Sequence, residues 1–169
     1  MQDAAERLAE AEACHDEDPT RAASLLSSID AGAVPEGERA LFAFLLNHVL
    51  GEKLGQWPLA AQGLNGLLAA AGTAAPPVLW RQAAVAATMD GNAESAARAT
   101  AALARAVDLS VQQAAELVQL AAAGFAVPGC DAATAAATAL QALQPLDAPH
   151  WQQPGALDVA AAACCNNLA

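Results

Sequence analysis

A helix, a glycine-marked turn and a second helix recur along this chain, with turn glycines at Gly55, Gly91 and Gly129, 36 and 38 residues apart. A unit of that length cannot bury its own apolar face. Near-regular repetition at such a spacing therefore predicts helical hairpins stacked on one continuous core. Alanine supplies 50 of the 169 residues, tyrosine is absent and β-branched residues are sparse. That balance favours helix throughout and argues against sheet. The expected fold is all-α, a right-handed α-solenoid of stacked antiparallel hairpins with about nine helices, built as a single domain over 1–169.

The apolar periodicity places hairpins at about 3–30, 36–71, 77–107 and 111–143, followed by a terminal helix at about 155–169. Asp3 to Cys14 carries Leu8 and Ala11 on one face with carboxylates opposite, an amphipathic pattern. Asp18 and Pro19 then offer a cap oxygen and a first-turn proline for a second helix ending near Ile29. Glu36 to Lys53 is apolar around much of its circumference and is expected to be central. Its partner runs from Leu59 to Ala71 after the break at Gly55 and Pro58. Asp90, Gly91 and Asn92 form a strong turn signal before Ala93 to Val107, while Ser110 and Asp131 can each cap a later helix. Pro145, Pro149 and Pro154 interrupt the chain ahead of a last helix that finds no partner downstream. Its apolar stripe needs covering. Either this helix closes the domain as a cap, or the sequence is the N-terminal part of a longer protein; a homodimer through it would also cover the stripe.

Eighteen acids against seven bases give a formal charge of −11. Seven acids fall within the first 18 residues, and no Lys or Arg follows Arg105. Such a chain repels phosphate backbones and anionic lipid, so neither nucleic acid nor a membrane is an expected partner. The acids also serve to keep an alanine-rich surface soluble. The start, Met1-Gln2-Asp3, lacks the basic and apolar regions of a signal peptide, and no run is apolar enough to span a bilayer. A cytoplasmic location is expected. Cys14, Cys130, Cys164 and Cys165 form no regular framework, which suits a reducing compartment.

Asn47 to Leu67, with Gly51, Gly55, Trp57, Ala60, Leu64 and Leu67, resembles one tetratricopeptide repeat across its inter-helix turn. In that family a small residue lets the two helices touch, a turn glycine and a following aromatic set the corner, and an alanine opens the second helix. The next unit is similar through Trp80, Ala84, Gly91 and Ala96, with Ala93 where an aromatic is usual. The ending from Cys165 to Ala169 is similar to the "NNLA" found inside the first helix of many such repeats. The resemblance implies a concave groove lined by the first helix of each pair. Carried over position by position, that groove comprises Phe42, Leu45, Val49, Val78, Arg81, Val85, Glu116 and Gln119. It implies an extended or helical apolar ligand, and equally these side chains can be core.

Chemistry-bearing residues are few. Cys14 and His15 lie far in sequence from Cys164 and Cys165, with no local pair at i, i+3 or i, i+4, so the cysteines read as small buried hydrophobes and no metal is expected. His15, His48 and His150 are isolated in sequence, and His48, on an apolar helix, reads as a hydrogen-bonded core histidine. Trp57 and Trp80 read as packing wedges; Trp151, between Pro149 and Pro154, is either pinned or presented to a partner. No catalytic residue and no cofactor is expected. The chain reads as a protein-protein interaction scaffold that binds a peptide or apolar segment, with a chaperone shielding a hydrophobic client segment as the alternative and an enzyme third.

Overall fold

The computed structural model describes residues 3–125, and among these it contains seven α-helices and no strand. They are α1 (Ala4–Cys14), α2 (Pro19–Ser27), α3 (Arg39–Leu45), α4 (Trp57–Ala71), α5 (Pro77–Met89), α6 (Ala93–Ala106) and α7 (Val111–Phe125). The other two of the nine expected helices, at about 132–143 and 155–169, lie outside the described residues, as do Gly129, Trp151 and the three later cysteines. The chain divides into two compact units, Met1–Ala96 and Ala97–Ala169.

Local chemistry explains most helix ends. Asp3 accepts from the Glu6 amide at 2.8 Å and Asp18 from the Arg21 amide at 2.9 Å, each satisfying a first-turn donor. Pro19 occupies the first turn of α2. Asn92 accepts from the Ser95 amide at the start of α6. In the second unit, Ser110 and Gln113 cap each other's amides reciprocally at the start of α7, the pattern of a capping box. Gly55 and Gly91 have φ of +66° and +74°. A side chain at either turn would be strained.

In the first unit, α1 packs on α2, α2 on the segment after α3, and α4 on both that segment and α5. Arg7 donates from Nη1 to the Ser28 carbonyl at 2.8 Å, and Arg21 pairs with Glu10, so α1 and α2 are tied along their length. Leu8, Leu26, Phe42, Leu45, Leu46, Val49, Leu64, Leu67 and Leu79 are buried. Each such side chain contributes roughly 1.5–3 kcal/mol relative to exposure.

The long helix expected from Glu36 to Lys53 takes three forms. Glu36–Glu38 is a 3-10 turn, Arg39–Leu45 is α-helical, and Leu46–Lys53 is π-helical. The Leu54 amide bonds to the Val49 carbonyl, five residues back, and the Gln56 amide to the Leu50 carbonyl. Two contacts accompany this widening. Asn47, fully buried, donates from Nδ2 to the Gln82 carbonyl at 3.0 Å and to its Oε1 at 2.6 Å. The indole of Trp57, the first residue of α4, lies over Gly51, where an added Cβ would stand 2.3 Å from Cζ3. The two helices approach through that glycine. Gly51→Ala forces the indole out of place, and we expect a loss of about 1–3 kcal/mol in urea unfolding; an unchanged midpoint would show that the ring relocates at no cost.

Candidate functional site

The π-helical segment delivers polar side chains to the α1–α2 corner. Residues five apart on an α-helix point about 140° away from each other. When hydrogen bonds run five residues back, five residues come close to a full turn, so Lys53 comes round to the side of His48. Both meet Asp16. Lys53 Nζ lies 2.6 Å from Asp16 Oδ1, and His48 Nε2 lies 3.8 Å from the same oxygen. His15, the C-cap of α1, places its Nε2 3.5 Å from Asp16 Oδ2.

Both imidazoles are held from behind. His15 Nδ1 is 2.5 Å from the Glu12 carbonyl oxygen, and His48 Nδ1 is 2.6 Å from Glu52 Oε2. The rings meet edge to face with centroids 5.4 Å apart, and Phe44 stacks on His48 at 5.2 Å. His48 is therefore a rim residue, its side chain 20% exposed, and not the core histidine expected from its helix. Nor are His15 and His48 isolated in space. His15, Asp16 and His48 each place one ligand atom within 4.8 Å of the others, the set among the described residues able to hold a metal ion. Cys14 stays apart, its thiol directed at the Ala11 carbonyl.

A second feature is a cleft of about 370 Å³ within the same unit, with Ser27, Asp30 and Gln62 among its lining residues beside the apolar ones. Leu26 and Ile29 come from α2 and the loop after it, Phe42, Leu46 and Leu50 from α3 and the π-helical segment, and Leu59 from α4. Gly63 and Gly66 open its α4 side, and Leu59 is 47% exposed at its edge. The eight residues of the expected groove are placed otherwise. Phe42 lines this cleft. Leu45, Val49 and Val85 are fully buried, so at these positions the expected groove face is packing surface. Val78 is half-buried, Arg81 and Glu116 are buried, and Gln119 is exposed. Burial pushes the Arg81 guanidinium below its ordinary value.

No family model matches the chain, and comparison with curated proteins and with solved structures finds no match. No helix among the described residues is long and apolar enough to cross a membrane.

The hydrogen bond from Lys53, then the charge of His15 when it is protonated and that of Lys53, hold the Asp16 carboxyl below the usual carboxylate range. Its value in the folded chain thus lies below the unfolded one. The stability it contributes is present above about pH 4 and is lost as the pH falls through the folded value. In metal-free buffer, the stability gap between wild type and Asp16→Asn should be present at pH 6 and shrink toward zero near pH 2. A gap independent of pH would show that the ion pair contributes nothing.

Proposed function

We propose that this protein is an interaction module, a right-handed solenoid of tetratricopeptide-like hairpins that seats an apolar segment of a partner protein. The observation that carries this reading is the cleft bounded by Leu26, Phe42, Leu46, Leu50 and Leu59, with Leu59 presented at its edge. Its volume falls within the range that binding sites occupy, and its lining combines these apolar side chains with Ser27, Asp30 and Gln62. One or two large side chains of a partner fit such a space, in the manner of an anchor residue on a helix or extended strand. The solenoid part of the reading is supported by the glycine period and by the corner at Gly51, Trp57 and Ala60, where the indole covers the small residue and Ala60 is buried. Binding, not catalysis, is the proposed activity.

Leu59 allows a direct test because it can change without opening the core. Peptides with apolar anchors, selected by display on the wild-type protein, should lose at least roughly tenfold in affinity on Leu59→Asp, the scale of one lost anchor. The helical circular dichroism should stay unchanged. Equal affinity for wild type and variant would overturn the reading. Val49→Asp is not an equivalent probe: Val49 is fully buried, and an unpaired charge there should unfold the protein.

A further inference from the structure

We infer that His15, Asp16 and His48 form a binding site for a divalent transition-metal ion of the zinc class, which clips the α1–α2 corner to the π-helical segment. The first ground is the donor set. Two imidazole nitrogens and a carboxylate suit zinc and its neighbours, not magnesium or calcium, which take oxygen ligands. The second is distance. Ligand atoms around a tetrahedral zinc ion lie roughly 3.3 Å apart, from bond lengths of about 2.0–2.2 Å. His15 Nε2 and His48 Nε2 already stand 3.5 and 3.8 Å from the Asp16 oxygens. Asp16, 71% exposed, has room to close the remainder.

The third ground is orientation. Metal-bound histidines characteristically donate their second ring N–H to a carboxylate or a backbone carbonyl, which fixes the tautomer and turns the free lone pair toward the ion. Both arrangements occur here, with Glu12 supplying a carbonyl behind His15 and Glu52 a carboxylate behind His48. Each Nδ1 is so engaged, and each Nε2 faces Asp16. The carbonyl end of α1 adds partial negative charge at the same corner. A water would complete four-fold coordination.

Lys53 is the resident countercharge. Its ammonium bonds to Asp16 Oδ1 at 2.6 Å, and it must turn outward as the ion enters. It is therefore a competitor, and its removal should strengthen binding. The ion would join residues 33 positions apart along the chain, so binding should also stabilise the fold.

Calorimetric titration of the chelator-treated full chain with zinc chloride should show one ion per chain. His15→Ala and His48→Ala should each lose more than the roughly 10–100-fold that a lost outer partner costs, and Glu52→Gln about tenfold. Asp16→Asn, a surface change that leaves the fold intact, should weaken binding as well. Lys53→Met should tighten it by roughly tenfold through lost repulsion. Saturating zinc should raise the melting midpoint of wild type by roughly 5 °C or more, and not that of the histidine variants. Cobalt should give a spectrum without a thiolate charge-transfer band. Retention of a one-to-one zinc site in the His15→Ala/His48→Ala double variant would overturn the inference. So would a thiolate band, which would place the ion on cysteine, or equal affinity for magnesium.

Discussion

The indole of Trp57 rests on Gly51 so closely that no side chain could stand between them. This contact decides how α4 returns along the segment that precedes it, because the ring needs the one residue there without a Cβ. The backbone at that place is π-helical over Leu46–Lys53, and the widened turn carries the rest of the first unit with it. It directs Asn47 inward to bond Gln82 on α5. It brings His48 and Lys53 to one side, where Asp16 meets both.

The same segment thereby faces two environments. Leu46 and Leu50 border the cleft, whereas His48, Glu52 and Lys53 border the polar corner. A regular α-helix would hold Lys53 away from His48. The π-turn is thus the local irregularity that assembles charged groups beside a hydrophobic wall, and such turns are frequent at functional positions. Exposure separates the two surfaces energetically. Ion pairs at the open corner contribute little to stability, while the packed side of the segment contributes most of it.

Much of the helical plan was legible in the residues. Asp3, Asp18, Asn92 and Ser110 act at helix starts as their types and places suggest, and Gly55 and Gly91 take the turn conformation that only glycine adopts easily. The site was less legible. His15 and His48 lie 33 residues apart, and ligand-spacing rules look for pairs within a helical turn or a short loop. A histidine on an apolar helix also signals burial by default, yet His48 sits at the rim because the turn beneath it is widened. A glycine four residues before Gly55 and six before Trp57 was the available clue, since a residue without a Cβ permits close approach there.

Composition and pattern by themselves determined that this protein is helical, where its first helices begin and turn, and that its surface is strongly acidic. These follow from local propensity, capping and charge count, which act over a few residues. Tertiary structure alone decided that Leu45, Val49 and Val85 are packed inside, as Leu26 and Phe42 are, while Leu59 stands exposed at the edge of a cleft. It alone brought Asp16 between two histidines. Helix periodicity names an apolar face but not what covers it. That choice belongs to close approach between elements, and here it turns on a tryptophan ring over a glycine.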